Sequence, residues 1–371
     1  MKVGIFGGSF DPVHNEHIAI AESAVKELGL DKLFIMPTFS APHKSQNQTP
    51  AIDRLNMLKL AFSGKEKIEV SDYEINNGGK SYSYITAEHF SKLYDRVYMI
   101  IGGDMLKDFK TWRYPEKIVN AVDIAVFNRE DFTVDYQKER EYFIQNYKKD
   151  FYKLSYNGKN QSSTKIRVYS SLDLDISCMT AKLVAEYIKE KGLYRGGKIE
   201  EGVISSLPIK RRTHTANVVI TALKKVKELN LDSNKVRVAT LLHDIAKYRD
   251  YKDYPKFTLP NGVPEPVIHA FLGGYIAKTE FGVDNEIEDA ISYHTSGKAN
   301  MSTLGKLVFV ADMIEEGRDY EGVNKLRELY EKDFNECFIE CLKEEMVHLT
   351  NKKTLIYEET VNAYNYYVNR K

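Results

Sequence analysis

The chain has 371 residues, 43% hydrophobic and 29% charged, which is ordinary globular usage at a length suited to two domains and excludes disordered, collagen-like and fibrous classes. Basic and acidic residues balance at 53 each, 29 against 27 in residues 1–200 and 24 against 26 in residues 201–371. Neither half is a polyelectrolyte, so nucleic acid and anionic membranes are not expected partners. No apolar run approaches the ~20 residues of a membrane-spanning helix, and the run Val3 to Phe6 is too short for a signal-peptide core. Cys178, Cys337 and Cys341 form an odd set without CxxC spacing. Cys337 and Cys341, four apart in a helical pattern, read as packing positions, and the chain reads as reduced, soluble and cytoplasmic.

Short apolar runs bounded by turns or charges predict buried strands at 3–6, 33–36, 68–70, 97–101 and 124–127. Helical spacing fills the intervals 18–28, 53–62, 84–93 and 136–147, and a helix over 181–191 is closed by Gly192. Strand and helix in alternation imply a parallel sheet covered on both faces. Texture changes at the pair Gly196-Gly197. Beyond it only helical patterns follow, such as 218–229 and 304–314. The expected organisation is an α/β domain over 1–197 and an all-α domain over 198–371.

The segment Gly7-Gly8-Ser9-Phe10-Asp11-Pro12-Val13-His14-Asn15-Glu16-His17 follows the first strand and opens a helix. Glycines there let backbone approach a phosphate, and a helix N-terminus supplies N–H donors. The pattern is neither GxGxxG nor GxxxxGK(S/T), which disfavours a dinucleotide fingerprint and a P-loop. His14 and His17, three apart, share one helix face and can donate hydrogen bonds to phosphate oxygens as charge builds up. The run Ser162-Ser163-Thr164-Lys165-Ile166-Arg167 reads two ways. Its hydroxyls can cap a helix, or hydroxyls and cations together can hold a polyphosphate.

Together these motifs resemble the HxGH nucleotidyltransferases, most closely the bacterial nicotinate-nucleotide adenylyltransferases. The resemblance also rests on Pro37 through Pro42-His43-Lys44, Ser81-Tyr82-Ser83, Gly102-Gly103-Asp104 followed by Trp112, and Asn128-Arg129. It implies a Rossmann-like sheet of nucleotidyltransferase type and in-line attack of nicotinate mononucleotide on the α-phosphorus of ATP, carried with Mg2+. By resemblance His14, His17, Lys44 and residues 162–167, with Arg167, hold the ATP phosphates. Gly102 and Asp104 face the ribose, and Trp112 stacks on the pyridine ring. Gly7, Gly8, Ser9, Phe10, Ser81, Tyr82 and Arg129 complete the implied substrate-binding set. The chain departs from the family in carrying Glu16 at the HxGH glycine and Ile85 where an acidic residue is usual.

The second half holds His214, His243-Asp244, His269, His294 and Asp312, with His243-Asp244 in the apolar helical stretch 239–246 and Asp312 in 308–314. Ionisable groups in apolar helices are costly unless paired or metal-bound, and helical bundles build metal sites from facing side chains. The matches RRTHTANVV, LLHDIAKY, HAFLGG, SYHTSGKANMS and FVADMIEEGRDYEGV resemble the HD-domain hydrolases that split diadenosine tetraphosphate symmetrically. The resemblance implies one metal on His214, His243, Asp244 and Asp312, and a second, bridged by Asp244, on His269 and His294. These metals would activate a water and clamp the attacked phosphate. Mixed imidazole and carboxylate ligands suit iron or manganese, with zinc also open. Lys247 and Arg318 read either as polyphosphate ligands or as solvated helix charges. The expectation is thus a bifunctional enzyme. Open alternatives are another phosphorylated acceptor in the first half, and another nucleotide substrate or a sensor role in the second; whether the chain forms a homo-oligomer is left open.

Overall fold

The computed structural model describes residues 1–39, 49–129, 134–158 and 161–368. They form two compact units, one of Met1–Arg167 with Asp175–Leu193 and one of Val168–Leu174 with Tyr194–Lys371. The first unit runs β1 (Lys2–Gly8), α1 (Asn15–Glu27), β2 (Lys32–Pro37), α2 (Ala51–Ala61), β3 (Ile68–Val70), α3 (Tyr73–Asn77), α4 (Ser83–Leu93), β4 (Arg96–Gly102) and α5 (Gly103–Asp108). It continues through α6 (Pro115–Ala121), β5 (Asp123–Arg129), α7 (Tyr136–Tyr147) and β6 (Tyr152–Gly158), holds the start of α8 (Ser163–Ser171), whose last residues belong to the second unit, and ends with α9 (Lys182–Lys191).

All six strands pair in parallel in the order β3-β2-β1-β4-β5-β6. The central strands are apolar because both faces are covered: Val3, Leu33, Ile35, Met36, Ala125 and Val126 have no exposed surface. Sheet order reverses between β1 and β4, and a crevice opens at such a point beyond the carboxyl ends of the strands. Gly7-Gly8 ends β1 and Gly102 ends β4, so both glycine motifs meet that crevice. The five predicted strands are present, and a sixth, β6, was not predicted. Its sequence YKLSYNG buries only Leu154 and Gly158, which is edge-strand patterning without an apolar run.

The second unit, among the described residues, is helical throughout: α10 (Lys198–Ser206), α11 (Ile209–Leu223), α12 (Ser233–Leu242), α13 (Glu265–Phe281), α14 (Asn285–Ser292), α15 (Thr303–Ile314), α16 (Val323–Lys332), α17 (Phe334–Asn351) and α18 (Glu358–Val368). Helix starts are specified locally, with Asp232, Asp284, Ser302 and Asp333 each accepting from a backbone N–H of the first turn. Cys337 and Cys341 are buried free thiols, and Cys337 Sγ donates to Leu326 O at 3.3 Å, so both pack as expected.

Two helical expectations are corrected. The pattern over 218–229 stops being helix after Leu223, where the ladder tightens to Lys224 N→Thr221 O (3.3 Å) and Lys225 N→Ala222 O (3.1 Å). The stretch 239–246 likewise leaves α12 at Leu242, and Ile245 N→Leu242 O (3.0 Å) continues it as a tight turn. His243-Asp244 therefore follows a helix end. No helix among the described residues is long and apolar enough to cross a membrane.

Candidate functional site

In the first unit, His14 is the N-cap of α1, and the cap is reciprocal. His17 N–H donates to His14 Nδ1 (3.4 Å) and His14 N–H donates to His17 Nδ1 (3.2 Å). The rings stack at 3.6 Å with 21° between planes, and Phe10 meets His17 edge-on at 4.9 Å. A backbone N–H can only donate, so both Nδ1 atoms act as acceptors. The neutral rings then carry their protons on Nε2. Two Nε2–H donors thus stand side by side at a helix N-terminus, where the backbone also favours an anion.

The distant hydroxyl segment docks on this loop. Ser163 Oγ donates to Pro12 O (2.8 Å), Arg167 donates to Asp11 O (2.6 Å), and Arg167 also reaches Thr164 Oγ1 (3.1 Å). Ser162 accepts from Lys165 N (3.2 Å), so one hydroxyl caps α8 while its neighbours hold the histidine loop. Ser9 O accepts from Arg54, a 1% exposed guanidinium that also donates to the carbonyls of Thr38, Phe39 and Thr49. Arg54 has no sequence signal beyond its place on α2, yet it ties the loop after β1 to the loop after β2.

Around β4, a Cβ on Gly102 would lie 2.3 Å from Asp104 Oδ1, so glycine lets that carboxylate fold over the start of α5. Trp112 is partly buried and rests on Phe109 at 5.0 Å. Ser81 Oγ accepts from Phe39 N (2.9 Å), and the Tyr82 ring lies 4.8 Å from the Arg113 guanidinium. Lys44, and the side chain of Arg129 at the end of β5, lie outside the described residues. Glu16, which stands at the family's HxGH glycine, is buried and accepts from Tyr156 OH (2.8 Å) beside Gly158 of β6.

In the second unit the six metal-type residues converge from five elements. His214 Nε2 lies 3.0 Å from Asp312 Oδ1, and the Nε2 atoms of His214 and His243 are 3.3 Å apart. Asp244 is 2% exposed and divides the set. Its Oδ2 faces His243 (3.4 Å) and His214 (3.8 Å), while its Oδ1 faces His269 (3.2 Å) and His294 (3.8 Å). Atoms of His214, His243 and Asp312, and of His243, Asp244 and His294, close to within 4.8 Å of one another.

Second partners fix the rings. His243 Nδ1 donates to Thr240 O and His294 Nδ1 to Ile291 O, each at 2.7 Å, because both histidines follow helix ends, where the ring folds back onto a carbonyl of the last turn. His214 Nδ1 donates to Glu315 Oε1 at 3.0 Å. Each Nε2 is turned inward. Burial, with His243 and His269 nearby, holds His294 down at about 3, so it is a neutral ring facing a carboxylate. Burial pushes the Asp244 carboxyl up, but His243, His269 and His294 more than reverse this and keep it ionised. Four imidazoles and two carboxylates converging on one buried point are the mixed nitrogen and oxygen ligand set of a divalent transition metal. The donor set fits metal.

Cations rim the same cluster. Arg211 donates to Asp244 Oδ2 (2.9 Å), Lys247 Nζ lies 3.1 Å from His269 Nε2, and Arg318 pairs with Asp312 through its side chain and Asp312 O (2.8 Å). Arg211 and Glu315 were not singled out from sequence. Arg211 stands three residues before His214 and Glu315 three after Asp312, the one-turn spacing that could have marked them.

The Cytidylyltransferase-like family model matches residues 5–168, and the HD domain model matches 211–317. A nucleotidyltransferase unit is therefore followed by an HD domain in one enzyme. A protein of Clostridium tetani named nicotinate-nucleotide adenylyltransferase is 38% identical over 200 residues, 52% of this chain and 99% of that protein. The chain belongs to the nicotinate-nucleotide adenylyltransferase family. A Mycoplasma genitalium protein named nicotinate-nucleotide adenylyltransferase/Ap4A hydrolase is 28% identical over 330 residues, 86% of this chain and 89% of that protein. A solved structure from Clostridium acetobutylicum, described as a predicted HD superfamily hydrolase involved in NAD metabolism, aligns at 30% identity and a TM-score of 0.45, over 47% of this chain and 97% of that one.

Proposed function

We propose that this chain is a bifunctional nucleotide enzyme. Its first unit transfers the adenylyl group of Mg2+-bound ATP to nicotinate mononucleotide, giving deamido-NAD and pyrophosphate. Its second hydrolyses diadenosine tetraphosphate to two ADP. For the first reaction the supporting observation is the reciprocal cap of His14 and His17, beside the docked 162–167 segment. In-line attack at the α-phosphorus builds charge on non-bridging oxygens and on the departing pyrophosphate. The two Nε2–H groups and the α1 N-terminus are set in advance to receive that charge. No residue needs to form a covalent bond. Ser163, Thr164 and Arg167 hold the loop against the phosphates, Asp104 takes the ribose, and Trp112 stacks on the pyridine ring.

For the second reaction the supporting observation is Asp244, whose two oxygens face two pairs of imidazoles. His214, His243, Asp244 and Asp312 would hold one metal, and Asp244, His269 and His294 another, with iron, manganese or zinc suited to the donors. Bound metals supply Lewis acidity toward a phosphate and an acidified water. Arg211, Lys247 and Arg318 then meet the polyphosphate charge at the rim.

Paired variants of the full chain test both assignments. His17→Ala should lower kcat for adenylyl transfer by about 10²–10³, the scale of one lost preorganised donor, with little change in KM and no change in hydrolysis. Asp244→Ala should abolish hydrolysis, empty both metal positions and leave adenylyl transfer intact. Wild-type transfer by the His17 variant, or hydrolysis products of ATP plus AMP, would reject the corresponding half.

A further inference from the structure

Four histidines of the second unit direct Nε2 into the cluster, and three of them are held through Nδ1 in two different ways. His243 and His294 follow the ends of α12 and α14, where each Nδ1–H reaches the carbonyl three residues back, Thr240 O and Ile291 O. His214 lies inside α11, where backbone carbonyls are committed to the helix ladder. Its Nδ1–H needs an acceptor from elsewhere, and Glu315 supplies it.

Glu315 is 3% exposed and sits where the chain turns out of α15. A buried carboxylate is costly unless its oxygens are satisfied, and here they are. Oε1 accepts from His214, Oε2 accepts from Gly317 N at 2.6 Å, and the Asn217 side chain adds a further hydrogen bond. Tyr169 OH donates to Asn217 Oδ1 at 2.8 Å, which leaves the Asn217 NH2 directed at Glu315. A Cβ on Gly317 would lie 3.1 and 3.2 Å from the two Glu315 oxygens, so glycine keeps that space open. Arg318 Nε stands 3.9 Å from Oε1 and is engaged by Asp312.

Building on the two-metal reading above, we propose that Glu315 is the positioning residue of the first metal site. It fixes the ring orientation and tautomer of His214, and is itself fixed by Asn217 and Tyr169. Glu315 is not placed among the ligands. It acts through His214, so its loss should weaken one metal and spare the other, whose His269 and His294 it does not touch.

The test is a Mn2+ titration of the metal-stripped full chain, which reads no substrate and is independent of what the enzyme hydrolyses. Wild type should bind two Mn2+. Glu315→Gln should weaken one site about 10–100-fold, the usual cost of losing such a partner, and leave the other within about twofold. Tyr169→Phe removes only the far hydroxyl and should weaken the same site by a smaller factor. It keeps the proposal testable if Glu315→Gln does not fold. Melting of each metal-free variant separates positioning from general damage. Equal weakening of both sites, in step with a lowered metal-free melting temperature, would overturn the proposal by making Glu315 merely structural. So would unchanged Mn2+ affinity in both variants. A wild-type chain that takes up no Mn2+ would overturn the metal reading itself, an outcome distinct from either.

Discussion

A histidine whose Nδ1 is held by a backbone N–H keeps its proton on Nε2, and that alone makes His14 and His17 paired donors. The spacing of the two rings was legible in the sequence, and their shared helix face with it. Their mutual cap was not, because it depends on His14 leaving helical geometry at φ −138°. Glu16 shows the reverse limit. Sequence marks it only as a departure from the HxGH glycine, while the structure pairs it with Tyr156, a partnership across 140 positions that no local pattern announces. Another carboxylate yields a pH prediction. Burial, and then Asp312, push Glu345 up to about 7 from 4.5, with Lys352 and Arg318 pulling it partly back. The folded chain thus keeps a proton that the unfolded chain has released, and stability falls as pH rises from about 4.5 to about 7. Glu345→Gln removes the penalty. Wild type and variant should unfold alike near pH 4.5, and the variant should gain on the order of 1–3 kcal/mol above pH 7. Urea unfolding of chelator-treated protein, followed by circular dichroism, checks it.

At the scale of elements, the strands β1, β2, β4 and β5 announced themselves because burial on both faces leaves only apolar residues. The edge strand β6 did not, since one solvated face breaks the run. The helix ends of the second unit were hidden for a related reason. Apolar residues continue past Leu242 while the backbone tightens, so His243 looks helical in sequence and lies in a turn. That turn is useful, because it folds the ring back onto the carbonyl that orients it. The pairing of α13 with α14 carries a similar constraint, as α13 bears His269 and His294 follows the end of α14. A Cβ on Gly274 would lie 3.0 Å from Glu288 O and 3.3 Å from Ser292 Cβ, backbone and near-backbone atoms that cannot rotate away. Gly274→Ala should therefore push the two helices apart by a few tenths of an ångström. The expected result is a loss of about 1–3 kcal/mol from overpacking and weaker metal uptake at the His269–His294 position. Thermal melting with metal analysis reads both; an unchanged second site would show that the helices accommodate the methyl.

Across the whole molecule, the order α/β then all-α was readable from periodicity alone, but the path of the chain was not. Residues 168–174 are counted with the helical unit although 175–193 belong to the first. Val168, Leu172 and Leu174 lie in the core of the helical unit, and Leu172 O accepts from the buried Arg212 at 2.8 Å. A fragment of residues 198–371 lacks all three side chains and leaves that guanidinium without its acceptor. It should melt well below the helical unit of the full chain, and dye binding should report exposed apolar surface; equal melting would mean that the segment contributes no stability.

The chain passes between its two units three times, at 167/168, 174/175 and 193/194. Two domains laid end to end share one junction and can be exchanged, duplicated or shed by a single recombination or a single protease cut. Here one cut takes a core segment from one partner with the other. A single cut at 193/194 would therefore leave Val168, Leu172 and Leu174, three side chains of the helical core, on the wrong side of the break.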